Sequence, residues 1–398
     1  MKETYVEINL DNLENNVKSI KEKYSNYKYH IAVIKSDAYG HGRYIVNSLY
    51  NSGINYVAVS YIGEALEIRK YNKEISILCL QPVDLDEILL AVDNNITVIV
   101  HDINYLDLLL KEKFNGKLKI HLKIDSGMNR LGFKDKNEVK KAYELITSND
   151  NFILEGIFTH FATIGVFDKH YDDQVNKFKE ITSLIDLNEI PIVHLGSSVI
   201  LLSHPKLDFC NAVRMGILLY GYNVSYSLSN NGLKNKLRNL RNRYYQKKYN
   251  ISKTFSNVKI DLRPSMKMYT KIIQIKNVKM GEYIGYGASF KAEKDMIIAV
   301  LPIGYSNGIG KKNNGRYVLI NSKKYYMVGQ MAMNMMTIEI DNSVKINDKV
   351  LILGDNITLG QMSRFNDWSI SETLLNIGNS NRRIYIKGKD KIYEEDKN

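Results

Sequence analysis

Eight short apolar runs punctuate the first part of this chain, at 31–34, 56–60, 75–80, 96–100, 118–125, 154–160, 190–196 and 210–216. Short, apolar and partly β-branched, they read as buried strands. Most gaps between them carry a helical pattern, as at 62–71, 85–92 and 139–146, while the last gap, 197–209, has room only for a short helix. Strands alternating with helices predict a parallel α/β array, and eight is the number that closes a (β/α)8 TIM-type barrel. A doubly wound open sheet is the alternative, but no Gly-x-Gly-x-x-Gly turn follows the first run.

Barrels of this kind carry their catalytic residues at the C-terminal ends of the strands. The unusual polar residues fall there. Lys35 ends the first run. Arg130, in Asp125-Ser126-Gly127-Met128-Asn129-Arg130-Leu131-Gly132, follows the fifth. His160 ends the sixth, His194 and Ser197-Ser198 close the seventh, and Arg214 with Gly216-Ile217 closes the eighth. One such residue would pass as a satisfied histidine or a surface arginine; five clusters on one barrel face point to a site. Lys35 is the sharpest of them. A lysine at the end of a buried strand is costly unless it is paired, neutral or covalently used. Desolvation lowers an amine's pKa and makes it the nucleophile that Schiff-base chemistry requires. The structural alternative is a lysine that reaches solvent or pairs with Asp37.

Composition narrows the class. The 398 residues are 44% hydrophobic, with no apolar run long enough to span a bilayer and no apolar signal core in Met1-Lys2-Glu3-Thr4-Tyr5. Cys79 and Cys210 both lie in apolar runs, so packed free thiols of a cytoplasmic protein are expected rather than a disulfide framework. No metal site is indicated. The net charge of +12 could suggest nucleic acid, but nine basic residues and no acidic one lie between 225 and 260. The excess therefore belongs to one segment, and nucleic-acid binding is not the expected role. In that segment Leu233, Leu237, Leu240 and Tyr244 fall at helical spacing. They predict an amphipathic helix packed on the barrel, with contact to an acidic partner or membrane surface as the alternative.

The expected domains are a barrel over 10–224, a basic helical insertion over 225–256 and a β-rich domain over 257–398, joined by an N-terminal strand, 1–9. Residues 5–9 alternate like an edge strand, and Asp11-x-x-Glu14 reads as a capping box before Leu13, Val17 and Ile20. In the last domain strands are expected at 267–278, 296–303, 316–320, 325–329, 336–340, 349–353 and 382–386, with a helix at 370–377.

The stretch Val33-Ile34-Lys35-Ser36-Asp37-Ala38-Tyr39-Gly40-His41-Gly42 closely resembles the pyridoxal-phosphate lysine motif of the alanine racemase family, Lys-Ala-Asn-Ala-Tyr-Gly-His-Gly. The resemblance covers nearly the whole chain apart from the basic insertion. It implies a fold-type III pyridoxal 5'-phosphate enzyme working as a head-to-tail homodimer whose active sites are shared between subunits. Lys35 would hold the cofactor covalently. Tyr39, Ser198 and the backbone at Gly216 and Ile217 match phosphate-binding positions, and Ser197, before Ser198, is expected at the cofactor. Arg214 matches the arginine facing the pyridine nitrogen, with His160 hydrogen-bonded to it and His194 extending the polar chain. Arg130 would meet the cofactor's phenolic oxygen and the substrate. Lys123 matches a lysine often carbamylated in the family.

Ile284-Gly285-Tyr286-Gly287-Ala288 resembles the segment bearing a second catalytic base, so the resemblance implies a two-base mechanism of Lys35 and Tyr286. Leu301-Pro302-Ile303-Gly304-Tyr305-Ser306-Asn307-Gly308 places Tyr305 at the family's entrance tyrosine, and Met333 keeps the position whose amide meets the substrate carboxylate. Both tyrosines would come from the partner subunit. Three departures stand out. Asn334 replaces an aspartate, Ser197 replaces an asparagine, and Ser371 aligns with a tyrosine that binds phosphate and narrows the entrance.

The implied activity is interconversion of L- and D-alanine, supplying D-alanine for peptidoglycan, with a serine or broader-specificity amino-acid racemase as the alternative. A related barrel-plus-β-domain decarboxylase is disfavoured by the racemase-like motifs around Tyr286 and Tyr305. A non-catalytic cofactor carrier is disfavoured by the complete second domain.

Overall fold

β1 (Tyr5–Asn9) runs directly into a helix, Leu10–Lys23, and eight further strands follow. They are β2 (Tyr29–Val33), β3 (Tyr56–Val59), β4 (Ser76–Cys79), β5 (Ile96–Val100), β6 (Leu118–Lys123), β7 (Phe152–Phe158), β8 (Ile192–His194) and β9 (Ala212–Met215). The computed structural model describes residues 3–163, 169–223 and 258–396, with Leu237, Leu240, Arg241, Tyr244, Lys247 and Lys248 between them. The eight strands pair in parallel in the order β8-β7-β6-β5-β4-β3-β2-β9. The ring closes where the Asn211 N–H donates to the Val193 carbonyl and the Arg214 N–H to the Gly196 carbonyl, both at 3.1 Å. The expected barrel is present, and all eight runs are its strands.

Alternation along the strands divides their side chains between two apolar layers. Ile31, Val33, Tyr56, Ala58, Leu78 and Ile99 cluster inside the ring. Their neighbours Ala32, Val57, Val59, Ile77, Val98 and Val100 join the large core beneath the helices. Each fully buried aliphatic side chain stabilises the fold by roughly 1.5–3 kcal/mol, so this two-sided burial makes the barrel strands nearly continuous in apolar character.

The C-terminal part is β-rich. Its strands are β10 (Met266–Lys271), β11 (Gln274–Val278), β12 (Tyr283–Ile284), β13 (Phe290–Lys291), β14 (Met296–Leu301), β15 (Tyr317–Ile320), β16 (Lys323–Tyr326), β17 (Met336–Ile340), β18 (Lys349–Leu353), β19 (Arg382–Lys387) and β20 (Asp390–Glu395). The main sheet has the order β16-β15-β18-β10-β1-β19-β20. β11, β14 and β17 form a second sheet, and β12 pairs with β13.

Several expectations are corrected. β1 is a central strand, antiparallel to β10 and parallel to β19, because both of its edges find partners far along the chain. The cap of the first helix is Asn9, whose side chain accepts from the Asn12 N–H at 2.8 Å. Asp11 and Glu14 turn instead to the Gly388 N–H and to Lys387. The single strand expected over 267–278 is two strands in different sheets. The helix Leu359–Asn366 and strands β12, β13 and β20 were not read from the sequence. Residues 225–256, expected as a basic helical insertion, lie outside the described residues except for the six named above, which are helical. There Leu237, Leu240 and Tyr244 are 61%, 62% and 61% exposed. No helix among the described residues is long and apolar enough to cross a membrane.

Candidate active site

After β2 the chain makes a left-handed turn. Ser36, Asp37, Ala38 and Tyr39 have φ of +53°, +54°, +54° and +53°. The steric penalty is about 1–2 kcal/mol for each L-residue so placed. The surroundings hold the turn against it. The Glu64 carboxylate accepts from the Ser36 N–H at 2.6 Å and the Ser60 N–H at 2.7 Å. Asp37 pairs with buried Arg383 at 2.6 Å. The Tyr385 hydroxyl donates to the His41 carbonyl at 2.9 Å. Asp37 is thus engaged by Arg383, and Lys35, at the head of the turn, faces the mouth of the barrel. Burial, followed by the Arg130 guanidinium, pulls its amine pKa down, with Glu64 opposing.

That mouth holds a cavity of about 360 Å³. Lys35, Tyr39, Arg130, His160, Ser197, Ser198, Arg214, Gly216, Ile217 and Ser371 all line it. With Lys123, also on its wall, the structure brings together eleven of the residues singled out from the sequence. It does not bring Tyr286, Tyr305 or Met333 to this cavity. They are 69%, 39% and 55% exposed on the C-terminal part. Their loops are tied to one another: the Tyr305 N–H donates to the Ala332 carbonyl at 3.3 Å and the Ser306 N–H to the Met333 carbonyl at 3.0 Å. The Gln330 N–H donates to Ser289 Oγ at 2.9 Å, joining the Tyr286 segment to them.

Arg214 forms the floor of the cavity and is almost fully buried. Burial pulls its pKa down to about 10. Nη1 donates to His194 Nδ1 at 2.7 Å and to the His194 carbonyl at 2.8 Å. Nη2 reaches the Thr159 carbonyl at 2.7 Å, the Leu195 carbonyl at 3.1 Å and His160 Nδ1 at 3.4 Å. All five acceptors are uncharged. Burial, reinforced by Arg214, holds the His160 imidazole neutral with a pKa of about 3. Beside it, burial and then Arg214 bring the Lys123 amine down to about 7, and its Nζ donates to the Ile124 carbonyl at 3.0 Å. The Arg130 loop is wound around Asp125, whose carboxylate accepts from the N–H groups of Gly127, Asn129 and Arg130 at 3.0, 2.9 and 3.1 Å.

The corner around Gly216 has the donor chemistry of a phosphate site. The Gly216 N–H meets Ser198 Oγ at 2.9 Å, and a Cβ on Gly216 would stand 3.0 Å from the Tyr39 hydroxyl. The missing side chain leaves a cradle between two hydroxyls and the backbone, in the same cavity as Lys35, and its chemistry fits the phosphate of pyridoxal 5'-phosphate.

Family models match along most of the chain. The alanine racemase N-terminal domain matches residues 8–224 and the alanine racemase C-terminal domain matches residues 265–385. The chain belongs to the alanine racemase family. Alanine racemase of Borreliella burgdorferi is 36% identical over 390 residues, covering 95% of this chain and 96% of the relative. That of Staphylococcus epidermidis is 31% identical, covering 89% of this chain and 86% of the relative. The solved alanine racemase of Clostridium difficile 630 superposes with a TM-score of 0.85 at 29% identity, covering 100% of this chain and 99% of that one. Histidine racemase of Leuconostoc mesenteroides subsp. sake, at 24% identity and a TM-score of 0.82, shares the fold. This chain is accordingly a racemase, an isomerase by class.

The cavity also takes in Ser60, Leu80, Gln81, Leu131 and Val199, which sequence reasoning passed over. Ser60, Leu80 and Gln81 follow β3 and β4, so the strand-end rule that found Lys35 would have found them. Glu64 had no such signal, because its importance to the turn lies in the backbone N–H of Ser36, 28 residues away. Of the three departures from the family pattern, Ser197 and Ser371 stand on the cavity wall, while Asn334 donates to Ser306 Oγ at 2.8 Å beside the Tyr305 turn.

Proposed function

We propose that this chain interconverts L- and D-alanine with pyridoxal 5'-phosphate held at Lys35, as a cytoplasmic homodimer that supplies D-alanine for peptidoglycan. The observation that carries the reading is the cavity itself: a lysine with a lowered pKa, a phosphate-type corner, and a buried arginine whose acceptors are all neutral. Tyr39, Ser198 and the backbone at Gly216 and Ile217 hold the phosphate end, with Ser197 beside them. When bound, the cofactor supplies a sink for the electron pair released at the α-carbon. Arg214 presents a permanent cation to the ring, where a carboxylate would favour a protonated nitrogen.

Racemisation removes a proton from one face of the α-carbon and returns one to the other. The Lys35 amine, eased toward its neutral form by burial, takes or gives the proton on one face. Tyr286 of a partner copy serves the opposite face, and the exposure of Tyr286, Tyr305 and Met333 on one surface suits insertion into a second subunit. Arg130 and the backbone amide of a partner copy's Met333 orient the substrate carboxylate. The neutral fraction that a pKa near 7 provides also suits Lys123 to carbamate formation. Borohydride treatment should fix a pyridoxyl label to the peptide carrying Lys35; recovery of label only elsewhere refutes the assignment. Mixing Tyr286→Phe with Lys35→Ala subunits should restore part of the activity, since one hybrid site regains both bases. Complete subunit exchange with no recovery counts against a shared site. Ser371 on the cavity wall supports a second reading, a racemase that also accepts serine.

A further inference from the structure

The interior of a (β/α)8 barrel is ordinarily filled by layers of branched aliphatic side chains. Here a line of polar groups crosses it. Arg214 donates to His194 Nδ1 at 2.7 Å. A guanidinium can only donate, so His194 Nδ1 is an acceptor and the ring's proton sits on Nε2. His194 Nε2 lies 2.9 Å from His121 Nδ1, which therefore accepts in turn. The His121 proton then sits on Nε2, 3.3 Å from the Glu155 carboxylate. The same carboxylate oxygen accepts from the Tyr56 hydroxyl at 2.6 Å and the Thr97 hydroxyl at 2.8 Å. Every proton in the line points from the guanidinium toward the carboxylate, the arrangement in which successive bonds polarise one another.

Two backbone features serve this line. The register between β6 and β7 shifts after Ile120: Ile120 faces Leu154, but His121 faces Gly156, leaving Glu155 as an extra residue. A bulge re-aims a side chain that strict alternation would send elsewhere. Opposite it, a Cβ on Gly156 would lie 2.6 Å from His121 Cε1, so glycine makes the room for the imidazole. His121 and His194 are 0% exposed, and burial lowers both of their pKa values, which favours the neutral imidazoles that the line of hydrogen bonds requires. Burial works against the Glu155 carboxylate, yet donation from His121, Tyr56 and Thr97 brings its pKa down to about 2.

We infer that Glu155 is a positioning residue for Arg214, acting through His121 and His194 from the far side of the barrel interior. It orders the two imidazole tautomers, and that order keeps His194 Nδ1 open to the guanidinium on the cavity floor. The effect on turnover rests on the proposed role of Arg214 toward the cofactor; the ordering of the tautomers does not.

The test separates the two. In the full chain as purified, labelled with nitrogen-15 at histidine, His121 and His194 should each give the signature of an Nε2–H imidazole. Glu155→Leu removes the acceptor and should collapse both signatures toward a tautomer average. Glu155→Gln keeps an acceptor oxygen and should preserve them. In parallel, kcat should fall about tenfold in Glu155→Leu, the size usual for a group acting behind a site-forming residue. KM should stay within about twofold, because the line does not touch the substrate. Glu155→Gln should recover most of the loss. Wild-type tautomers in Glu155→Leu, or altered tautomers with unchanged kcat, overturn the inference. Should Glu155→Leu not fold, the cycle of Glu155→Gln with His121→Asn decides. The Glu155→Gln effect on kcat should vanish in the His121→Asn background, and full additivity overturns the inference. If Lys35 fails to take the pyridoxyl label while the tautomers still depend on Glu155, the cofactor reading falls and the ordering stands.

Discussion

Ser371 is where a single residue most directly bears on what the cavity accepts. It lines the cavity wall, where a tyrosine would bury a ring. A serine there leaves room for a longer substrate and gives alanine no new contact. Discrimination by one methylene is worth about 1–3 kcal/mol. Ser371→Tyr should therefore lower kcat/KM for L-serine relative to L-alanine by about tenfold, within the range such a change allows. Chiral analysis of product from each amino acid gives the ratio, and an unchanged ratio removes Ser371 from the determinants of pocket size. Lys35 and Asp37 differ in how far they can be understood alone. The position of Lys35 at the end of an apolar run already marks it. Asp37 has no such mark, since its partner Arg383 is brought in by β19 from the other end of the chain.

Among the elements, the helix Ile370–Asn379 matters because the Lys35 turn rests on it. Its start was legible: Ser369 and Glu372 form a capping box, each side chain accepting from the other's backbone N–H at 3.2 Å. Its function as a seat was not. Gly378 lies against Gly40, and a Cβ there would overlap the Gly40 carbonyl oxygen. Gly378→Ala must part the helix from the turn. The expected destabilisation is about 1–3 kcal/mol, the usual range for overpacking, read from the urea midpoint. Gly360 provides the contrast. A Cβ on it meets nothing nearer than 3.9 Å, and it stands inside the helix Leu359–Asn366. Gly360→Ala should be neutral or stabilising by up to about 1 kcal/mol from helix propensity. Equal losses in both variants would show that the contact at Gly378 is not tight.

At the scale of the whole molecule, the polar interior makes the fold sensitive to acid. Burial holds the pKa of His41 at about 3 and that of His204 at about 4, and lowers those of His121 and His194 as well. In the unfolded chain all four titrate near 6.5. Below that pH the unfolded chain binds protons that the folded one refuses, so stability falls as pH falls. The loss begins near 6.5 and continues until the folded values are reached. For His41 and His204 it amounts to about 1.4 kcal/mol each between pH 7.5 and pH 5.5. The urea midpoint should fall over that interval. His204 stacks on Tyr171 with ring centroids 3.7 Å apart, so His204→Phe keeps the packing while removing one titrating group. It should shrink the fall, and an undiminished pH dependence would exclude His204 as a source.

What the sequence by itself determined was periodic and local. Runs of Ile, Val and Leu of strand length, separated by helical spacing, specify a parallel sheet buried on both faces, and their number, eight, points to a closed barrel. The residue that ends each run is then carried to the mouth, which is why Lys35, His160, Arg214 and Ser198 could be named from order alone. Tertiary structure alone decided what depends on distant partners. Nothing in Ser36-Asp37-Ala38-Tyr39 asks for positive φ, and alanine resists it. Glu64, Arg383 and Tyr385 impose it, from 28 residues away in the first case and 344 in the contact to His41. β1 reads as an edge strand until β10 and β19 cover both of its sides. Glu155 turns inward because the β6–β7 register shifts beside it, and register is a property of two strands together. In each case the conformation is fixed by hydrogen bonds and contacts whose other half lies elsewhere in the chain.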